Sequence, residues 1–121
     1  LSMSVSSALA EANFVIFGNN NDDTGTTSSS LSGISKRSKR EWNFDEKGTV
    51  TADIKIDISD ATGHSGSVSA SSNYKLLFKT CEFCNFLELE TGDSASGDVI
   101  TFSNVTIKDG IFCIASADSN L

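Results

Sequence analysis

Proline is absent from this 121-residue chain, so its turns have to be built from Gly, Asn, Asp and Ser. Histidine occurs once, as His64 in a Gly/Ser-rich stretch. Catalysis by that histidine would need a nucleophile and an orienting acid, and the sequence contains no Gly-x-Ser-x-Gly motif or similar frame. We therefore predict that the protein is not an enzyme and that His64 is a solvated loop residue.

Basic residues are scarce, since nine Lys and Arg face 16 Asp and Glu for a net charge of −7. This balance disfavours nucleic acid as a partner, because phosphates are contacted mainly by Lys and Arg. Long apolar runs are also missing, and none approaches the ~18 residues of a membrane span. The acidic balance suits an exported protein and leaves carboxylates available for calcium.

Ser and Thr are abundant and make up about a quarter of the chain. They are poor residues for helix interiors and acceptable ones on strands. Apolar and polar residues alternate most clearly over residues 49–59, where Val50, Ala52 and Ile54 begin an inward face that ends at Ile58. A strand with one polar face indicates an antiparallel sheet.

Counting such segments gives about seven strands with turn residues between them, the pattern of a two-sheet sandwich. We predict a single all-β domain over residues 1–121, an antiparallel two-sheet β-sandwich. The long polar loops are expected at about 19–35 and 60–72.

The last third of the chain supplies the clearest turn. Asp109-Gly110 predicts a hairpin between the strand that runs to Ile107 and the strand that starts at Ile111. Earlier in this region, Tyr74, Leu76 and Phe78 are expected on one strand face. The predicted core consists of Phe14, Ile16, Trp42, Phe44, Ile54, Ile56, Leu76, Phe78, Ile100 and Phe102.

Several stretches occur in a characteristic order. Phe14-Val-Ile-Phe-Gly-Asn-Asn20 is an apolar strand that ends in Gly-Asn-Asn, and Ser38-Lys-Arg-Glu-Trp42 places basic residues shortly before Trp. Gly48-Thr-Val-Thr51 opens an alternating strand, Tyr74-Lys-Leu-Leu-Phe-Lys-Thr80 is a Leu-Leu strand, and Asp109-Gly-Ile-Phe112 is an Asp-Gly-aromatic ending. Each motif is weak alone, and the order carries the information.

In this order, over most of residues 12–116, the stretches resemble a β-domain of very large surface proteins in Bacteroidota. The resemblance implies an immunoglobulin-like module of a secreted, multi-domain adhesin or filament exported by the type IX route, without catalytic residues. The chain departs from the pattern at Cys81-Glu-Phe-Cys84, where the resembling domains have glycines or aspartates suited to a calcium turn. A calcium loop at that position is therefore not expected.

The cysteines allow three interpretations. A redox pair formed by Cys81 and Cys84 would need a helix N-terminus after the motif, and a zinc site would have to gather all three cysteines and His64 from distant segments. We favour a disulfide in an oxidising compartment. Cys81–Cys84 is the first expectation, with Cys113 free and buried, and Cys113 paired with either of them is the alternative.

Two polar clusters are candidates for binding. Asn21, Asp22 and Asp23 are the best candidate calcium ligands, although they lack the spacing of an EF-hand loop, and no other cofactor is predicted. The basic cluster is a candidate surface contact for an acidic patch, a neighbouring module or an anionic polymer. It consists of Lys36, Arg37, Lys39 and Arg40.

Together these observations favour a non-catalytic structural or adhesive module of an extracellular surface protein or filament. Its expected partners are neighbouring modules or identical subunits, or a target surface that includes polysaccharide. In a fibre, the predicted edge strand at residues 1–9 would pair with the next subunit. The alternative is a carbohydrate-binding module, calcium-dependent or not. Trp42 and Tyr74 are assigned to core packing rather than to a sugar-stacking surface, because both lie in phase with apolar strand residues.

Overall fold

The computed structural model describes residues 1–5, 13–20 and 24–121. Within these residues the chain forms eleven strands in two antiparallel sheets, with one short α-helix and a 3₁₀ turn at Ser71–Asn73. The predicted all-β, two-sheet architecture is confirmed. The elements are β1 (Ser2–Val5), β2 (Phe14–Asn19), β3 (Thr26–Ser28), β4 (Lys36–Ser38), β5 (Trp42–Lys47), β6 (Thr51–Asp57), α1 (Ile58–Thr62), β7 (Tyr74–Lys79), β8 (Leu87–Thr91), β9 (Ser94–Ser96), β10 (Val99–Thr106) and β11 (Gly110–Ser116).

The first sheet, sheet A, has the strand order β1-β6-β10-β9. Its two central strands are the long alternating ones, and Ile54 of β6 lies opposite both Met3 of β1 and Phe102 of β10. The β6–β10 register shifts between Phe102 and Val105, at a bulge where Asn104 has φ +53°. Bulges of this kind bend and twist a strand.

The second sheet, sheet B, is built around β11. Along one edge β11 pairs with β7 from Ile111 to Ser116, and β8 lies beyond β7. The other edge is shared, because β5 pairs with Gly110–Phe112 and β4 pairs with Ala115 and Ser116. β2 lies beyond β5, and β3 lies beyond β4.

The main core lies between the two sheets and follows the alternation in the sequence. In β5 the side chains of Trp42 and Phe44 are buried while Asn43 and Asp45 are exposed. Phe112 of β11 packs its ring 4.4 Å, centroid to centroid, from that of Phe44. The side chains of Phe14 and Ile16 lie outside the described part. The other predicted core residues are all buried: Trp42, Phe44, Ile54, Ile56, Leu76, Phe78, Ile100 and Phe102.

The predicted hairpin at Asp109-Gly110 is wrong. β10 belongs to sheet A and β11 to sheet B, so this connection crosses from one sheet to the other. Asp109 accepts a hydrogen bond at Oδ1 from the backbone N–H of Glu46 (2.7 Å), and Gly110 lies opposite Phe44 in the β5–β11 pair. The chain does bend at Asp109, but the strand that follows pairs with β5 and β7 and not with β10.

The predicted strand over residues 49–59 is also shorter than expected. β6 ends at Asp57, whose Oδ1 accepts hydrogen bonds from the N–H of Ser59 (2.9 Å) and of Asp60 (3.3 Å) and so caps α1. Gly63 closes the helix with φ +76°. Ile58 is the first residue of α1 and is still buried in the core, as the alternation predicts.

Four strands fall outside the predicted seven. β3 lies within the predicted loop at 19–35, β4 contains part of the basic cluster, and β8 and β9 flank Gly92. Three of the four are only three residues long, too short to show an alternating pattern. In the described part of the chain, every helix is too short to cross a lipid bilayer.

Candidate functional site

Sheet B is apolar on both faces. Tyr74, Leu76 and Phe78 of β7 face the main core as predicted, but Leu77 between them is buried as well. On the outer face of the sheet Leu77 belongs to a second cluster, packed against Leu31 and Phe86 and made of Ile34, Leu77, Cys113 and Ala115. The segments that cover this outer cluster are therefore held in place by apolar burial.

These covering segments leave a groove between them, which we call the outer groove. Residues 28–31 form one wall, residues 84–87 form the other, and Arg37 and Lys79 complete the lining. The volume of the groove is about 650 Å³, within the ~300–1,000 Å³ of typical small-molecule sites. Most of the described residues that line it lie on loops, where binding residues are commonly found.

Two cations of the groove share one carboxylate. Arg37 Nη1 lies 3.2 Å and Lys79 Nζ 3.4 Å from Oε1 of Glu41. Arg37 Nη1 also donates to the carbonyl oxygen of Ser38 (2.9 Å), and Lys79 Nζ donates to that of Glu82 (3.1 Å). Although it is charged, the Lys79 side chain is only 8% exposed. Such burial requires the charge to be paired and hydrogen-bonded, as it is here.

Phe86 links the two cations to the wall of the groove. Its ring centroid lies 4.9 Å from Arg37 Cζ and 4.4 Å from Lys79 Nζ. Both distances are within the range of a cation–π interaction, which is stronger where the cation is desolvated. The ring thus helps to fix both cationic groups at the groove.

The loop that leads into this wall is closed by a disulfide between Cys81 and Cys84, with the two Cα atoms 5.1 Å apart. Within the loop the N–H of Cys84 donates to the carbonyl oxygen of Cys81 (3.1 Å). Phe83 at its tip is 94% exposed, and Leu87 just beyond it is 65% exposed. The structure therefore holds an aromatic ring in solvent on a constrained loop beside the outer groove.

Cys113 is a free thiol and is buried on β11. Burial raises the pKa of its thiol to about 12, an effect that the nearby Arg37 guanidinium opposes only in part. A thiol in this state is neither a nucleophile nor a metal ligand at neutral pH. Its role in the described structure is packing in the outer cluster.

The basic cluster does not act as one patch. Arg37 lines the groove, while Lys36 and Lys39 are exposed and Arg40 is half-buried, all three outside the groove lining. Lys79, which the sequence did not single out as a binding residue, lies at the centre of the site. Its position at the end of an apolar strand, shortly before four aromatic or cysteine residues, was the only indication in the sequence.

The candidate calcium ligands Asn21, Asp22 and Asp23 lie outside the described residues. Within the described residues, no three side chains of His, Cys, Asp or Glu are grouped so that they could hold a metal ion.

Trp42 and Tyr74 are both buried in the main core. The hydroxyl of Tyr74 accepts a hydrogen bond from the N–H of Ser69 (3.2 Å), so neither ring forms a sugar-stacking surface.

The prediction that His64 is a solvated loop residue is wrong, because its side chain is only 4% exposed. Its Nε2 lies 3.0 Å from Oδ1 of Asn120, and its Nδ1 lies 4.0 Å from Oδ1 of Asp98. Asn120 also donates from Nδ2 to the carbonyl oxygen of Ser67 (3.1 Å). Contacts from residues distant in the sequence thus cover a histidine whose own neighbours are all small and polar.

A family model described as a domain of unknown function, DUF8202, matches residues 2–111. No curated protein and no solved structure matches the chain.

Proposed function

The chain belongs to the DUF8202 family, and we propose that it is a non-catalytic structural or adhesive module of an extracellular surface protein or filament. In this role it contacts neighbouring modules, identical subunits or a target surface. The observation that carries the proposal is the disulfide-closed loop, which holds the ring of Phe83 in solvent next to the exposed Leu87.

Leaving the apolar surface of these two side chains in water is unfavourable for an isolated domain. In the part of the chain that the structure describes, three large hydrophobic residues are exposed, and Phe83 and Leu87 are the two most exposed of them. They lie four positions apart, beside a groove that already contains Leu31 and Phe86. Apolar side chains gathered in this way are typical of interaction sites, and aromatic residues often dominate their binding energy.

The loop is also preorganised. The disulfide, the hydrogen bond from Cys84 to Cys81, and the hydrogen bond from Lys79 to the carbonyl oxygen of Glu82 restrain its backbone. A loop that is rigid before it binds loses less conformational entropy when a partner orders it. This favours a role in binding over a role as a flexible linker.

The extracellular setting is supported by chemistry and by resemblance. Disulfides persist mainly in oxidising compartments, and the Cys81–Cys84 bridge lies at the surface, where Cys81 is exposed. Surface adhesins of Bacteroidota exported by the type IX route, which the sequence resembles, would provide such a setting.

Adhesion of domain-coated beads tests the proposal. Beads that carry the domain are mixed with each other to measure clustering, and are placed under flow on a lawn of bacterial cells to measure retention. The double variant Phe83→Ser, Leu87→Ser should lower clustering or retention at least tenfold, since hot-spot residues contribute about 2 kcal/mol or more. Both side chains are exposed, so the variant should fold.

The matched control is Phe17→Ser, an aromatic-to-serine change at a partly exposed position on β2, at the far edge of sheet B. This control should retain the adhesion of the wild-type domain once its folding is verified by its unfolding midpoint. Wild-type beads that neither cluster nor adhere would contradict the proposal. So would a double variant that adheres as well as the wild type.

A further inference from the structure

The charge of the outer groove is opposite in sign to the charge of the protein. The whole chain carries −7, but in the groove the two cations Arg37 and Lys79 share the single carboxylate of Glu41. One positive charge is therefore left in excess at a partly desolvated position. An anionic group that entered the groove would meet complementary charge, and the low local dielectric would strengthen the attraction.

The rest of the lining is suited to a hydroxyl-rich ligand. Ser28, Ser30 and Asn85 add hydroxyl and amide groups to the groove, while Leu31 and Leu87 add apolar surface. Apolar walls with a few placed polar groups are typical of sites for small ligands. A sugar ring, which carries hydroxyls at its edge and C–H groups on its faces, matches both kinds of surface.

The excess of a single positive charge limits how many acidic groups the ligand carries at this position. Glu88 lies on β8, next to Leu87 of the groove wall, and its carboxylate is 3.5 Å from Lys75 Nζ, outside the groove. A chain with an acid at every unit, such as an acidic peptide, would place a further carboxylate near Glu88. Repulsion between like charges would weaken its binding.

From this arrangement we infer that the outer groove binds an acidic saccharide in which uronic acid and neutral sugars alternate. One uronate carboxylate pairs with Arg37 and Lys79, the serine hydroxyls and Asn85 bond the sugar hydroxyls, and Leu31 and Leu87 contact the ring faces. This assignment rests on the proposed function, because it names the chemistry of the target surface that the module contacts.

Isothermal titration with a tetrasaccharide of alternating glucuronic acid and neutral sugar tests the inference. The matched ligand is the same tetrasaccharide with its carboxyl groups reduced to alcohols, and a peptide of consecutive Glu residues, which carries an acid at every unit, is the third ligand. We expect the acidic tetrasaccharide to bind at least tenfold more tightly than either of the other two. Raising the salt concentration from 50 to 500 mM should weaken its binding, because the contact is electrostatic.

Variants locate the site. Arg37→Gln removes one cation and leaves Glu41 paired with Lys79, so affinity should fall at least tenfold. Lys36→Gln removes the same charge from an exposed neighbour on β4 that does not line the groove, and it should bind as the wild type does. If Arg37→Gln fails to fold, Ser30→Trp at an exposed wall position blocks the groove instead, and it should abolish binding.

Each outcome decides a separate point. Equal affinity for the acidic and the reduced tetrasaccharide, or no binding of either, overturns the inference. Tighter binding of the peptide overturns the saccharide in favour of a protein partner, and equal losses from Arg37→Gln and Lys36→Gln move the site away from the groove. Beads that adhere through Phe83 while the tetrasaccharide fails to bind leave the proposed function standing and remove only this ligand.

Discussion

A single methyl group added at Gly110 should strongly destabilise the fold. Its φ of +150° lies in a region that L residues rarely adopt, and a Cβ placed on it would lie 2.5 Å from both the carbonyl oxygen of Lys79 and Cε2 of Phe78. Real Cβ contacts are essentially never shorter than 3.0 Å. The carbonyl oxygen of Lys79 belongs to the backbone of the paired strand β7, and the ring of Phe78 is buried. Neither neighbour can therefore move away at low cost.

The cost of Gly110→Ala has two parts. Backbone strain at an unfavourable φ contributes about 1–3 kcal/mol, and overpacking against a fixed neighbour contributes about 1–3 kcal/mol. We therefore expect a loss of about 3–4 kcal/mol in the free energy of unfolding. For a chain of this length that corresponds to a fall of roughly 10–15 °C in Tm.

Two other glycines separate the contributions. Gly97 has φ +57° with nothing within 4 Å of an added Cβ, so Gly97→Ala should cost only the left-handed strain of about 1 kcal/mol. Gly18 has neither a positive φ nor a close neighbour, so Gly18→Ala should be neutral or stabilise by up to about 1 kcal/mol. The expected order of stability is thus Gly18→Ala, then Gly97→Ala, then Gly110→Ala.

Urea unfolding followed by the fluorescence of Trp42 measures all three. This residue is the single tryptophan of the chain and is buried, so its emission should change when the core opens. The slope of free energy against urea should stay constant across the variants, which shows that the midpoint reports stability. If Gly110→Ala loses no more stability than Gly97→Ala, the approach of β7 to β11 at this residue is not as close as the structure shows.

Two further predictions concern titratable groups. Burial raises the pKa of Cys113 from its usual 9.0 to about 12, so only about one Cys113 thiol in ten thousand is ionised at pH 8. Iodoacetamide should therefore label Cys113 at least 100-fold more slowly in the native protein than in urea. Equal labelling rates would refute the burial of this thiol. The hydrogen bond from the hydroxyl of Ser59, with others from the backbone, lowers the pKa of Asp57 in the folded protein below 3.8. The Asp57 carboxylate therefore stabilises the fold fully at pH values above its pKa in the unfolded chain. This stabilisation is lost as the pH falls through the lower pKa of the folded protein. Asp57→Ala should therefore cost about 1 kcal/mol at pH 7 and little at pH 2, as measured by urea unfolding at both values, and an equal cost at both would contradict the capping role.

Periodicity identified the parts of the fold in which one strand face is buried. The inward residues of β5 and β6 were assigned correctly, because alternation directly reports which side of a strand meets the core. β7 shows the limit of this argument, since Leu77 is buried on the opposite face from Leu76 and Phe78. Burial on both faces leaves no alternation, so the sequence could not reveal that a second cluster covers the outside of sheet B.

Turn residues predicted where the chain bends and not which strand it meets next. The chain does bend at Asp109 and begin a strand at Gly110, but Gly110 pairs with Phe44, far away in the sequence. The burial of His64 depends in the same way on a distant partner, Asn120, near the last residue of the chain. Contacts between residues far apart in the sequence determine both the pairing of Gly110 and the burial of His64. The local sequence around each residue does not indicate these contacts.

The outer groove follows from the way that β11 is paired. On one edge β11 meets two consecutive strands, β5 at its start and β4 at its end. The short connection between β4 and β5 therefore has to pass along that edge, and it carries Glu41. On the other edge, β7 ends at Lys79.

The two elements that flank β11 thus deliver their charged residues to the same place. Glu41 from the β4–β5 connection comes within 3.2 Å of Arg37 and 3.4 Å of Lys79, three residues that no sequence motif links. One carboxylate can neutralise only one of the two cations. The same pairing that completes sheet B therefore leaves a net positive charge on the outside of an acidic domain, beneath the only described loop that a disulfide closes.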